Sequence, residues 1–543
     1  LSILNSLPFL VHYPHECSEQ LLNRYVPLAI TNAFYRKYPA LAQAAKKIPK
    51  RGTITPAWDR SDPRRLMTLM ETPWEEISQG RQSYWPMIDM FDTAVVKGEL
   101  GDALAKLKST QNGDGGYPWF PGGRSDPYIT LLVLSGFAEA QRYGVELPLD
   151  NVRRALSYVN NEVPKHLKPE PGEVSLILYA AYVVTSYPKS WPESALGYKF
   201  AKAWVAYADK HADAMTNMGK AMAAYVYWRL GEKAKGDLYL ARATDGARED
   251  PIAGVYWTPE KLSWLWYNDT VETHAFILRT LLALKPKDPR IPGMVQWLLF
   301  NRKGNEWKST KASAAAIYSL LDVLKSRGSL DQGDGYTLRW GPDVETAQVE
   351  PFDWLAKPLR WTRLGSAITP KHGTARIEKT GPGLAFASLT WIYTTDKPAS
   401  ASGPGLLELS RRFFLRYKEG ETYRLRPLAA GDTVAVGDQV EVQLKLGTRS
   451  QFEYVHLKDP KPAGFEAEEL RSGWKWDQLS RYEEPRDSLT NFFMDWVPHG
   501  EYVLRYRLRP TTPGSYRLGA AVLQSMYAPE MSAHSDGFSI QVR

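Results

Sequence analysis

The sequence predicts a multi-domain chain that is α first and β after: an α/α toroid over residues 1–330, a β-rich connection over 331–400 and a β-sandwich over 401–543. Three observations predict it. Through about residue 330 apolar residues recur at threes and fours between short Gly, Pro and Asn turns, the 3.6-residue period of helices that each bury one face. A unit of helix, Gly-aromatic turn and Ser-capped helix occurs twice, and self-similar helical hairpins with apolar faces must close on one another. Beyond Arg327 the period falls to two in short segments punctuated by Gly and Pro, which is the pattern of half-buried strands.

Length and composition agree. The chain has 543 residues, enough for two to four domains at about 150 residues each. With 43% hydrophobic and 24% charged residues it is neither disordered nor fibrous. The longest nearly uncharged apolar stretch, 176–184, is far short of the roughly 20 residues of a membrane-spanning helix. The net charge is +8, but the basic residues are spread out, with only short clusters such as Lys46, Lys47, Lys50 and Arg51, so solvated surface is expected and a nucleic-acid partner is not. One cysteine excludes an internal disulfide framework and a Cys-rich zinc site. The start at Leu1, without Met or a basic n-region, is not a signal peptide and is expected to belong to something longer.

Within the helical part, residues 218–230 and 271–284 are expected helices, the latter with Phe276, Ile277, Leu281 and Leu282 needing a partner. The first copy of the repeated unit runs from Leu107 through Gln111, Gly115, Gly116 and Tyr117 to Ser125 and a helix at 129–134. The second runs from Trp297 through Asn301, Gly304 and Trp307 to Ser309, Thr310 and a helix at 314–321. Gly113 to Gly116 with Asp114 is a turn and no phosphate cradle, since no Lys and Ser or Thr follow in Walker order. In the connection, 375–379 and 384–393 are expected strands and 398–404 a linker. The segments 441–446, 502–509, 516–518 and Phe538–Val542 supply a sandwich.

The most specific local signal is Cys17, Ser18, Glu19, Gln20. A thiol and a carboxamide three residues apart are neighbours across one helical turn. Attack of sulfur on the carboxamide carbon with loss of ammonia would join Cys17 to Gln20 as a thioester, an electrophile formed by proximity. Such a bond lasts only where water is kept away, so shielding or tuning groups are required, and Tyr13, His15, Glu16 and Glu19 are the candidates. A small buried hydrophobe is the ordinary role of a lone cysteine. His12, His15, Cys17 and Glu19 carry zinc-ligand chemistry, but their spacing matches neither a finger nor a zincin helix, so neither metal nor cofactor is expected. His274 on an apolar helix reads as a hydrogen-bonded core histidine before a catalyst, and Glu272 and Asp269 read equally as residues near the mouth of the toroid or as helix-start residues.

The run Leu7, Pro8, Phe9, Leu10, then Tyr13, Pro14 and the Cys17 to Gln20 tetrad, resembles the thioester site of bacterial alpha-2-macroglobulins. The family's aromatic residue and glycine before the cysteine are here His15 and Glu16, which add charge beside the bond. Gln111 to Gly116 with Asp126, Pro127, Tyr128 and Thr130 resembles a hairpin of the family's thioester domain, as do Val271, Glu272, Thr273 and the 297–310 segment, although Lys311 to Ser313 departs from its usual Gln, Asp, Thr. Asp459 to Gly464 and Met526 to Glu530 resemble the C-terminal macroglobulin domain. The resemblance implies a broad-spectrum protease inhibitor and not an enzyme. Upstream macroglobulin domains and a bait segment would precede this part; bait cleavage would expose the thioester, and a lysine of the target protease would attack the Gln20 carbonyl, with Cys17 leaving as thiolate. It further implies that 331–400 is half of a split, CUB-like β-domain, that the location is periplasmic or in the cell envelope, and that any membrane attachment is a lipid anchor outside this chain. Two rivals share parts of the pattern: a polysaccharide lyase of toroid-plus-sandwich build, which has no use for the Cys17 and Gln20 pair, and an adhesion module that grips surfaces through the same bond.

Overall fold

The computed structural model describes residues 2–11, 16–37, 93–251, 253–257, 270–302, 306–327, 332–350, 359–385, 387, 389, 391–392, 400–403, 405–449, 451–526 and 531–543. Contacts divide the chain into two compact units, residues 1–249 with 254–389, and residues 390–543 with 250–253.

In the first unit, the described helices are α1 (Ser2–Val11), α2 (Ser18–Lys37), α3 (Thr93–Ser109), α4 (Pro127–Arg142), α5 (Leu149–Glu162), α6 (Pro171–Val184), α7 (Pro192–Lys210), α8 (Asn217–Arg229), α9 (Lys233–Thr244), α10 (Thr270–Leu284), α11 (Ile291–Phe300) and α12 (Thr310–Arg327). The even-numbered helices touch in series, α2 to α4, α6, α8, α10 and α12, and α12 returns to α2. This is a closed inner ring. The odd-numbered helices pack outside it, for example α5 on α4 and α9 on α8 and α10. Composition explains which goes where. α6 is buried at every residue from Val174 to Val184, as a helix without a charged face must be. α5 buries Val152, Ala155, Leu156 and Val159 on one side and turns its charges to solvent.

The repeated hairpin recurs in detail. Tyr117 and Trp307, both fully buried, each donate their backbone N–H to a hydroxyl in the fourth position of the next helix, Thr130 at 2.8 Å and Ser313 at 3.0 Å. The caps differ from expectation. Ser309 Oγ does accept from Ala312 N at 3.1 Å and start α12, but α4 is capped by Asp126, whose Oδ1 accepts from Ile129 N at 3.0 Å. Ser125 instead donates to Asp114 Oδ1 at 2.7 Å, because that carboxylate in the preceding turn is the stronger acceptor. Between them Gly115, at φ +90°, passes so close to the next hairpin that a Cβ would lie 2.4 Å from Arg154 O. Only glycine fits both the angle and the space.

The helical ring is followed in the chain by a three-stranded antiparallel sheet with Asp334–Trp340 between Asp343–Val349 and Ala375–Thr380. The described residues of 384–393 form no strand, contrary to expectation; among them Leu389, Trp391 and Ile392 are exposed. A strand needs a neighbour for its N–H and C=O groups, and none of the described strands runs alongside.

In the second unit, two antiparallel sheets and a mixed three-stranded sheet of Gly514–Leu518, Phe538–Val542 and Thr433–Val434 enclose one core. The five-stranded sheet runs Phe465–Ala467, Gly500–Pro510, Gln439–Thr448, Leu407–Glu419, Thr422–Leu428, and the six-stranded sheet has Leu489–Val497 and Phe452–Pro460 at its centre. The alternation read at 441–446 places Val440, Val442, Leu444 and Leu446 in the core. Arg411 of one sheet and Asp459 of the other pair inside it at 2.5 Å, and Tyr506 OH donates to Asp459 at 2.8 Å. The expected linker 398–404 is in its described part tied down: Ala401 N donates to Asp536 Oδ1 at 2.7 Å and Ser402 N to His534 O at 2.9 Å. Small residues without bulky side chains let that backbone lie close enough to bond.

Candidate functional site

The site is built at the start of α2. Cys17 is the cap residue: its carbonyl accepts from Leu21 N at 2.9 Å, the first bond of the helix. Gln20, the third helical residue, folds its carboxamide back so that Oε1 accepts from Cys17 N at 3.1 Å. This is one half of a capping box, the same device by which a Glu or Gln at that position satisfies the cap's own N–H. Capping geometry thus brings the carboxamide to the cysteine. The thiol is buried, at 5% exposure, and burial pushes its pKa up, partly offset by the backbone bond at Gln20 and reinforced by the Glu19 charge. At neutral pH it holds its proton.

Glu19 sits beside the sulfur. Its Oε2 lies 3.8 Å from Cys17 Sγ, while Oε1 is held by Asn23 Nδ2 one turn on and by Thr310 Oγ1, at 2.7 Å, from the first residue of α12. That second bond closes the helical ring at the site itself. The turn between α3 and α4 covers the other side: Ser18 N donates to Trp119 O at 3.0 Å and Ser18 Oγ to Pro118 O at 2.6 Å. Glu16, by contrast, is exposed and pairs with Lys106 Nζ at 2.7 Å and with Arg24 at 3.4 Å.

Of the residues singled out from sequence, the structure brings Cys17, Glu19 and Gln20 together and leaves Glu16 on the rim, and Tyr13 and His15 lie outside the described residues. Sequence reasoning missed Ser18, Asn23, Trp119 and Thr310 as parts of the site. The only sequence sign was that Ser18 lies inside the tetrad and Thr310 at a helix start, since the contacts join residues up to 291 positions apart.

Deeper in the ring two charge clusters tie opposite helices together. Near the site, Lys311 of α12 pairs with Glu272 of α10 at 3.1 Å and donates to Tyr128 OH of α4 at 3.0 Å. Burial pulls the Lys311 pKa down, but Glu272 and Tyr128 outweigh it and hold the ammonium charged. Further in, Arg279 of α10 bonds both Glu139 of α4 and, at 2.9 Å, Asp322 of α12, which Arg142 also reaches at 3.0 Å. Between the clusters remains a cavity of about 90 Å³ lined by Tyr179, Met218, Met222, Phe276 and Tyr318, room for a few water molecules.

His274 faces away from all of this. It is buried, stacked on Trp297 at 4.2 Å with Trp257 edge-on at 5.4 Å, and its Nε2–H donates to Met294 O at 3.0 Å. Burial pulls its pKa down to about 3, so it stays neutral as a packing residue.

With this geometry established, residues 407–530 match the bacterial alpha-2-macroglobulin MG10 domain. The chain is thus similar to bacterial alpha-2-macroglobulins. It is 23% identical over 292 residues, 49% of this chain and 14% of the relative, to an alpha-2-macroglobulin homolog of Nostoc sp.. It is 21% identical over 357 residues, 65% of this chain and 19% of the relative, to an alpha-2-macroglobulin of Thermotoga maritima. The matched region therefore spans under a fifth of each relative's length. Among solved structures, native alpha-2-macroglobulin of Escherichia coli from domain MG7 to the C-terminus aligns with 99% of this chain and 75% of its own at 16% identity and a TM-score of 0.40. The Salmonella protein reacted with methylamine aligns with 100% of this chain and 31% of its own at 15% identity and a TM-score of 0.39.

Proposed function

We propose that this chain is the thioester-bearing and C-terminal part of a broad-spectrum protease inhibitor, in which Cys17 and Gln20 are joined with loss of ammonia and the bond captures a protease after bait cleavage. The observation that carries this is the Gln20 carboxamide folded onto Cys17 by the capping bond at 3.1 Å, at a buried thiol. In this reading residues 1–330 are the thioester domain, 331–400 half of a split CUB-like domain and 401–543 the macroglobulin domain. Upstream domains of the same protein carry the bait. The target's lysine amine attacks the Gln20 acyl carbon, the Cys17 thiolate leaves, and the protease stays tethered through an amide. Nothing turns over, so the protein is an inhibitor and not an enzyme. The setting is the periplasm or cell envelope, where proteases from outside arrive, with any lipid anchor beyond this chain. Tyr13, His15, Glu16 and Glu19 shield or tune the bond, as does the Pro118–Trp119 turn over Ser18.

The lyase alternative has no use for a carboxamide folded onto a buried thiol, which is what Gln20 and Cys17 present. The test is the mass of the peptide holding Cys17 and Gln20 from undenatured protein, with and without methylamine. Missing ammonia, then a methylamine adduct on Gln20 with a newly titratable Cys17, supports the trap; an ordinary thiol from the outset sinks it. An adhesion module would behave alike toward methylamine, and captured protease in place of surface material separates the two.

A further inference from the structure

The structure assigns to Glu19 the proton transfer that makes and breaks the Cys17–Gln20 bond, with Thr310 as the residue that positions it. This rests on the thioester reading above and deepens it. Three facts converge. Glu19 Oε2 is the acceptor 3.8 Å from the thiol, while Oε1 is pinned by Asn23 and by Thr310 at 2.7 Å, so the carboxylate is held with one oxygen toward sulfur. Gln20 Oε1 already accepts from Cys17 N–H at 3.1 Å, the donor an oxyanion would need. The thiol is buried and holds its proton, so attack requires a base on the spot.

The step balances without any added reagent. As Sγ bonds to the Gln20 Cδ, the thiol proton passes to Glu19 Oε2 and the carbonyl oxygen becomes an oxyanion against Cys17 N–H. Collapse breaks the Cδ–Nε2 bond, and Glu19 returns the proton to that nitrogen, which leaves as ammonia. Carboxylate and charge are restored. Opening by an amine is the same path reversed: Glu19 takes the proton of the attacking nitrogen and delivers it to the departing sulfur. The bond from Thr310 comes from the helix that closes the ring, so the base is in register only while α12 lies against α2.

Methylamine reads this path, because it replaces ammonia in the reverse direction. The experiment uses the full 543-residue chain as wild type and as Glu19→Gln, Thr310→Val and Thr310→Ser, with thermal unfolding to verify folding. Glu19→Gln keeps the size and the acceptor for Thr310 but cannot take a proton. The expected result is that fresh Glu19→Gln protein carries mostly a free Cys17 thiol with its Gln20 carboxamide intact. Whatever fraction closes reacts with methylamine on the order of 10²-fold more slowly than wild type. Thr310→Val slows the reaction on the order of tenfold and Thr310→Ser restores it. A folded Glu19→Gln protein with wild-type ammonia loss and wild-type methylamine rate overturns the proposal and leaves the thioester standing. A Thr310→Ser protein as slow as Thr310→Val overturns the positioning role. A wild type that titrates as a free thiol from the outset overturns both the proposal and the thioester reading.

Discussion

His274 offers a prediction whose size follows directly from its surroundings. The ring lies between Trp257 and Trp297 with one N–H on Met294 O, and burial holds its pKa at about 3, against 6.5 for an exposed histidine. Lowering the pH from about 7.5 to about 4.5 protonates this residue in the unfolded chain but not in the folded one. Because the folded pKa is the lower, the stability involved is complete above about pH 6.5 and is lost as the pH falls toward 3. At about pH 4.5 the loss covers two pH steps of 1.36 kcal/mol, about 3 kcal/mol. The perturbation is His274→Phe, which keeps the aromatic stack and cannot titrate. Urea unfolding followed by tryptophan fluorescence gives the stability of both proteins at each pH. Losing the Met294 bond lowers the variant equally at both, so it cancels in the comparison. Wild type should lose about 3 kcal/mol more than His274→Phe between the two pH values. Equal losses would show that His274 charges in the folded state, and the neutral, buried assignment would fail.

Three further outcomes follow from the same structure. Asp322→Asn removes the carboxylate that Arg279 and Arg142 share, and breaking a buried charge cluster this way should cost about 3–5 kcal/mol at neutral pH in urea unfolding. Burial raises the Asp322 pKa, but the two arginines outweigh it and hold it below the ordinary value. The wild-type advantage is therefore present above about pH 3.9 and fades as the pH falls through the depressed pKa. Gly115→Ala must fit a Cβ 2.4 Å from Arg154 O at φ +90°, and should lower stability by on the order of 1–3 kcal/mol in the same assay. Ser18→Ala frees the Pro118 carbonyl from its 2.6 Å bond, and the Cys17 thiol should then appear in buffer about fivefold faster, the worth of one hydrogen bond of about 1 kcal/mol.

Much of the ring was legible in the sequence because helices are local. Residues 218–230 and 271–284 were expected as helices and are α8 (Asn217–Arg229) and α10 (Thr270–Leu284). The Gly-aromatic hairpin was visible twice because its parts lie within about one turn and one helix of each other. The cap of α4 was misread because Ser125 and Asp126 stand side by side with similar cap propensity, and only the neighbouring Asp114 decides between them. The described residues of 384–393, expected in a strand, form none for the opposite reason: β-propensity is legible locally, but a partner strand is not.

What the sequence determined by itself is the chemistry within reach of one helical turn: a thiol, a carboxylate and a carboxamide at positions 17, 19 and 20, gathered by the capping geometry of the helix they begin. What only the tertiary structure decided is how those groups are held. Thr310 reaches Glu19 from 291 residues away, and Arg279 reaches Glu139 from 140. Such bonds exist because the ring closes, and closure depends on apolar burial summed over the six described inner helices, a quantity that no single stretch of sequence carries.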